Sequence, residues 1–179
     1  SHFFTVYKSL ENKETVVNTN EENNVPVELN MEQKVTLRNI AGWTTGFRRI
    51  EGDGDITIPP EGTARVSRAE VIAQVQNGNR LLTGIDDRGS HATLYIDDEL
   101  TRIEVDFESK EDKITQQVLT TDVVKKLFDY KTIKTFEDKL RETVVTRAEK
   151  YAIIQIIKKE KINDFEKVRI VENYTGFKV

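Results

Sequence analysis

Apolar residues recur at two different periods along this chain, and the period changes near residue 110. Lys34-Val-Thr-Leu-Arg-Asn-Ile40 alternates apolar and polar positions, which predicts a half-buried strand. Phe47 to Glu51 and Ile56 to Ile58 predict two more strands, joined across Gly52-Asp-Gly-Asp55. Asp53-Gly54 is a hairpin signal there, and Pro59-Pro60, which cannot donate to a ladder, halts the second strand. Arg80 to Ile85 reads as a strand. Ala92 to Ile96 and Leu100 to Phe107 read as a hairpin across Asp97-Asp-Glu99, with Thr101, Ile103, Val105 and Phe107 on one face. Near the start, Phe3 to Lys8, Thr15 to Asn18 and Val25 to Leu29 are short β-type runs around a polar Asn18 to Asn24 turn. One helix interrupts this region. Ser67 and Glu70 have the spacing of a capping box, Val71, Ile72 and Val75 share a face, and Gly78 supplies the stop.

Ser109 to Lys113 is polar and reads as a linker. After it apolar positions recur at 3.6. Thr120 or Thr121 caps Val123 to Tyr130, and Ile133, Phe136 and Leu140 continue at helical spacing. Thr146-Arg-Ala-Glu149 is a second capping box, opening a helix that buries Tyr151, Ile153, Ile154 and Ile157. Asn163-Asp-Phe-Glu166 opens a last helix, closed by Thr175-Gly176. The expected fold is therefore α+β: an antiparallel β-rich unit with one helix over 1–109, followed by a small helical bundle over 110–179. The expected core is Trp43, Phe47, Ile58, Val71, Val75, Leu82 and Phe107 in the first unit. In the second it is Leu127, Phe136, Leu140, Ile154, Ile157, Phe165 and Ile170.

Composition narrows the chemistry. There are 179 residues and no Cys, so the core must hold without disulfides, and thiol nucleophiles and thiolate zinc sites are excluded. Ser1-His2 reads as a cloning remnant, which leaves His91 as the remaining imidazole. No apolar run approaches about 18 residues, and the start reads as neither a signal nor a transit peptide. No cofactor motif is present, so none is expected. Charge is unevenly divided. Residues 1–109 hold 11 basic and 19 acidic residues, with eight Arg and three Lys among the cations; residues 110–179 hold 16 basic and 12 acidic, with thirteen Lys and three Arg. Such a contrast either steers a charged partner or keeps both halves soluble.

Four constellations carry candidate chemistry. Asp53, Asp55 and Asp97 lie at expected hairpin corners and suit oxygen-seeking cations, although Asp and Gly are also what turns are made of. Asp86, Asp87 and His91 are the candidates for catalysis, His91 as base; a lone His at a strand entrance also serves purely structural ends. Trp43, Phe47, Arg48 and Arg49 combine two aromatics with two guanidinium groups, a pattern suited to stacking bases or to a protein interface, and equally to a core anchor. Lys125 with Lys126, and Lys158, Lys159 and Lys161, offer phosphate contacts or a solvated face.

Two stretches carry a resemblance. Phe47-Arg-Arg-Ile-Glu-Gly-Asp-Gly-Asp-Ile-Thr-Ile-Pro-Pro60, with Val66-Ser-Arg-Ala-Glu-Val71 after it, is similar to small two-domain proteins of unsettled function encoded by tailed phages and prophages of Gram-positive bacteria. So is Lys161-Ile-Asn-Asp-Phe-Glu-Lys-Val-Arg-Ile-Val-Glu-Asn-Tyr-Thr-Gly176. The resemblance covers about half the chain and includes no catalytic signature. It implies a phage origin. With no active-site motif in the chain, the expectation is a binding protein more than an enzyme, acting through protein partners in the virion or in the cytoplasm of the infected host. A head, neck or tail accessory is the first expectation. An inhibitor of a host defence nucleoprotein, of the anti-CRISPR kind, is the alternative, with RNA or DNA backbone held by the Lys-rich helices. A metal-dependent nuclease using the acidic turns and His91 is the third.

Overall fold

The computed structural model describes residues 28–111, 116 and 118–179. The strands expected over Phe3 to Lys8 and Thr15 to Asn18, the Asn18 to Asn24 turn, most of Val25 to Leu29, and part of the linker lie outside them. The architecture is α+β, with antiparallel strands leading and helices following. Strand β1 (Lys34–Asn39) pairs on one side with β4 (Thr63–Ser67) and on the other with β5 (Leu94–Asp97), both antiparallel. Between β1 and β4 the chain makes a separate hairpin of β2 (Thr45–Arg48) and β3 (Asp55–Ile58), in register Thr45 to Ile58 and Arg48 to Asp55. Its turn contains Asp53-Gly54 as expected, and Gly54 takes the positive φ of 88° that the turn requires.

Two expected strands are short helices. Arg80–Thr83 is α2, following α1 (Arg68–Gln76); the Asn79 side chain accepts from Leu81 N at 3.0 Å and so offers the backbone a cap in place of a ladder. Glu99–Glu104 is α3, capped by Asp98, whose carboxylate accepts from Thr101 N at 3.0 Å. The apparent alternation over Thr101 to Phe107 therefore has another origin. Thr101 and Phe107 are buried one helical turn and a reverse turn apart, while Ile103 is 36% exposed. The Ala92–Ile96 hairpin partner does not exist, and β5 reaches back to β1 instead. Its free edge is closed by a side chain: the buried Gln116 amide accepts from Ile96 N (3.0 Å) and donates to Leu94 O (3.1 Å), standing in for a neighbouring strand.

Among the described residues the second half holds four helices: α4 (Thr121–Phe128), α5 (Ile133–Thr143), α6 (Arg147–Glu160) and α7 (Phe165–Thr175). Each has a side-chain N-cap, from Thr120, Thr132, Thr146 and Asp164 in turn. Two apolar clusters result. One gathers Leu37, Ile58, Val71, Leu82, Ile96, Phe107 and their neighbours; the other gathers Val124, Phe136, Leu140, Ile153, Ile154, Ile157 and theirs. Each fully buried Leu, Ile or Phe contributes about 1.5–3 kcal/mol. Phe47, Val75 and Ile170 are only partly buried. Two expected core residues are not core at all: Trp43 is 38% exposed and Phe165 is 86% exposed. Trp43 sits in the β1–β2 loop, off the sheet's inner face, and Phe165 is the first residue of α7, on its outer side.

Candidate functional site

The loop that carries Trp43 is built around Asn39, the last residue of β1. Its buried side-chain amide donates to the carbonyls of Trp43 (2.9 Å), Pro59 (3.0 Å) and Ile58 (3.3 Å), and its Oδ1 accepts from Ala41 N (2.9 Å). One side chain thus fixes both the β1–β2 and the β3–β4 connections. Gly42 then passes so close to α6 that a Cβ there would lie 2.2 Å from the Tyr151 ring. A larger residue there would have to push the Tyr151 ring aside.

The opposing surface comes from α6 and the chain after α7. Thr146 and Glu149 form the full capping box, with Glu149 N donating to Thr146 Oγ1 (3.1 Å) and Thr146 N to Glu149 Oε1 (3.1 Å). This box sets Arg147 at the first helical position and Tyr151 one turn later on the same side. The Arg147 guanidinium lies over the rings of Trp43 (5.7 Å) and Phe177 (5.4 Å), and Tyr151 meets both edge-on, at 6.1 Å and 5.9 Å. The Tyr151 hydroxyl donates to Glu61 Oε2 at 3.2 Å. Burial, then this bond, holds that hydroxyl above its ordinary pKa, so it remains a donor. Aromatic pairs and exposed cation–π contacts are each worth about 0.5–1.5 kcal/mol, so together they hold the exposed Trp43 ring in one place.

The candidate patch is thereby redistributed. Trp43 faces α6, whereas Phe47 packs on the first apolar cluster. Arg49 lends its charge to Glu70, and Arg48 is exposed, with its carbonyl accepting from Gln74 Nε2 at 2.7 Å. The four residues do not form one surface. Trp43 forms one with Arg147, Tyr151 and Phe177 instead.

His91 also reaches across the molecule. Its Nδ1 lies 2.9 and 2.8 Å from the two Glu149 oxygens, and Glu149 is 1% exposed. A carboxylate only accepts, so Nδ1 carries the proton in this contact. Ser90 is not its partner: the Ser90 hydroxyl donates to Asp86 Oδ2 at 2.6 Å. Burial raises the Asp86 pKa, but hydrogen bonds from Ser90 and Arg88 outweigh it and hold the carboxyl below its ordinary value. Asp86 is thus saturated by its own loop, and Asp87 is an exposed residue at φ 63°. Asp53 and Asp55 lie exposed at the β2–β3 turn, and Asp97 pairs with Arg38 at 3.0 Å. Among the described residues no three His, Asp or Glu gather at metal-ligand spacing.

The lysines divide. Lys125 pairs with Glu160 at 3.1 Å, which ties α4 to the end of α6. Lys158 and Lys159 flank an open groove of about 550 Å³ with Arg38, over a floor that includes Ile40, Leu119 and Ile156. Lys126 and Lys161 are exposed and do not line it; Lys161 closes α6 in the left-handed region, at φ 55°. Three cations at the last turn also suit the negative end of that helix.

Tyr151, expected on the buried face of its helix, is half-buried instead, and Arg147, Phe177 and Glu61 escaped the sequence reading as members of this surface. The Thr146 box and the spacing of four between Arg147 and Tyr151 were the available signal, but nothing local showed that the β1–β2 loop would meet them. No helix among the described residues is long and apolar enough to cross a membrane. No family model, curated protein or solved structure matches this chain.

Proposed function

We propose that this is a non-enzymatic binding protein that acts through protein–protein contacts, with Trp43, Arg147, Tyr151 and Phe177 as the contact surface. One observation carries the reading: a Trp ring left 38% exposed is nevertheless held between an arginine and a tyrosine. A ring already ordered loses little entropy on binding, and Trp, Tyr and Arg are the residue types that dominate interface energetics. Arg147, which is exposed, favours a partner that sets a carboxylate beside an apolar anchor. As that partner we propose a virion component, and for this protein the role of a head, neck or tail accessory, the first expectation drawn from the Phe47–Pro60 and Lys161–Gly176 stretches.

A photo-crosslinking amino acid at position 43 tests this in phage-infected cells. The expected result is one defined virion protein crosslinked from position 43 and not from the exposed position 87. Arg147→Glu should lower the yield about tenfold, the loss of one interface anchor. Absence of any specific crosslink from position 43, or an equal yield with Arg147→Glu, overturns the reading.

The groove between Arg38 and Lys158-Lys159 favours a second reading, binding of a nucleic-acid backbone, as an inhibitor of a defence nucleoprotein would need. Fluorescence anisotropy with a single-stranded oligonucleotide should then show affinity that falls steeply with salt. Lys158→Glu combined with Lys159→Glu should make the log–log salt slope shallower by about 1.4, two phosphate contacts at about 0.7 each. If the wild-type protein shows no salt-dependent binding, the lysines are a solvated face.

A further inference from the structure

We infer that the outer face of α7 pairs with the same face of a second copy of this chain, in an antiparallel, two-fold arrangement centred between Ile170 and Val171. Phe165 is 86% exposed, the largest value among the described large apolar residues. Beside it runs an open groove of about 660 Å³ along α7, with Ile162, Val168 and Val179 as its apolar lining and Glu166, Arg169 and Glu172 as its charges. Val179 N donates to Glu172 Oε2 at 2.9 Å, which brings Val179 to the end of the groove opposite Phe165.

Charge chooses the occupant. Among the described residues neither Glu166 nor Arg169 has an ion-pair partner, and Arg169 stands three residues from a carboxylate on either side. A partner of one sign would meet both attraction and repulsion on this row. An antiparallel copy about the stated axis sets Arg169 of each chain opposite Glu172 of the other, and lays each Phe165 over the Gly176–Val179 end of the other groove. Both contacts occur twice, so the pair closes on itself and does not propagate. α7 has only 11 residues, so two such helices side by side bury less than the roughly 1,200 Å² of a standard interface. The dimer is therefore weak and concentration-dependent.

Sedimentation velocity of the full chain over a concentration series is the test. The wild-type protein should shift from monomer to dimer as concentration rises. Phe165→Glu should remain monomeric throughout. Arg169→Glu and Glu172→Arg should each weaken the dimer about tenfold, and Arg169→Glu with Glu172→Arg together should restore it, because the swapped pair is again complementary. Phe165 and Arg169 are exposed, so Phe165→Glu and Arg169→Glu keep the thermal unfolding midpoint, while the variants at the half-buried Glu172 are compared at a temperature well below their own midpoints. The inference is overturned if the wild-type protein stays monomeric up to about 1 mM, a concentration where even a weak pair is populated. It is also overturned if Phe165→Glu dimerises like wild type, or if the double swap does not recover what the single changes lose.

Discussion

Arg68→Ala is expected to destabilise the fold by about 3–5 kcal/mol, the loss that follows when one partner of a buried ion pair is removed. Arg68 is the first residue of α1 and is 2% exposed. Its guanidinium donates from Nε to Thr101 Oγ1 (3.0 Å), from Nη1 to Asn30 O (2.8 Å) and from Nη2 to Asp98 Oδ2 (3.1 Å). One fork therefore joins α1, α3 and the chain ahead of β1. Lys in its place keeps the charge but not the geometry, so Arg68→Lys should recover only part of the loss. Burial pushes the Asp98 carboxyl up, but hydrogen bonds from Thr101 and Arg68 outweigh it and leave the pKa below the ordinary value. Its contribution is therefore fully present above the unfolded carboxylate pKa of about 3.9 and is lost as pH falls through the lower folded value. Glu70 acts in the same direction: burial raises it, and bonds from Gln74, Ile50 N and Glu51 N bring it below its ordinary value. Urea midpoints measured from pH 7 down to pH 3 should fall for the wild-type chain, with a shallower fall for Arg68→Ala. A variant with the wild-type midpoint and the same acid slope would show that the fork contributes nothing.

Arg68 also shows which parts of the structure were legible. Its neighbour Ser67 reads as a capping residue from sequence, and its hydroxyl does accept from Glu70 N at 3.2 Å. The reciprocal half of that box is absent, because the buried Glu70 carboxylate turns to Ile50 N and Glu51 N instead, 2.8 and 2.7 Å away. Caps, the Asp53-Gly54 turn and the four-helix tail are set by residues within a turn of one another, so spacing alone reveals them. The strand-like Leu100–Phe107 failed because a helix cap at Asp98 and a buried Phe107 mimic alternation. Nor does spacing reveal Lys167. It reads as one more surface lysine, yet it is 8% exposed and donates to Phe128 O and Tyr130 O at 2.8 and 2.6 Å, closing the end of α4. The candidate site was half legible: Trp43 stood out by type, but its partners Arg147 and Tyr151 lie more than 100 residues away in the chain.

Glu149 should prove the second most costly position, because it performs two tasks with one carboxylate. As the third helical residue of α6 it accepts from Val145 N (2.9 Å) and Thr146 N (3.1 Å), and it also receives His91 Nδ1. The first task belongs to the helix bundle, and the second joins that bundle to the loop before β5. Glu149→Ala leaves two backbone donors and an imidazole without their acceptor, at about 1–3 kcal/mol for each buried group left unsatisfied. His91→Ala removes only the joining contact. Its backbone also sits at φ 58°, where Gly is at no disadvantage, so His91→Gly isolates the imidazole's part from the strain. The expected order of loss is Glu149→Ala, then His91→Ala, then His91→Gly. A double-mutant cycle should give a coupling of about 1–3 kcal/mol between the two side chains. If the contact also makes the two apolar clusters unfold together, Glu149→Ala should split a single urea transition into two, with the helical part unfolding first because it has lost its cap. Additive effects of the two alanine variants, with one unchanged transition, would mean that Glu149 serves α6 alone and that the contacts between the Trp43 loop and Tyr151 hold the two clusters together.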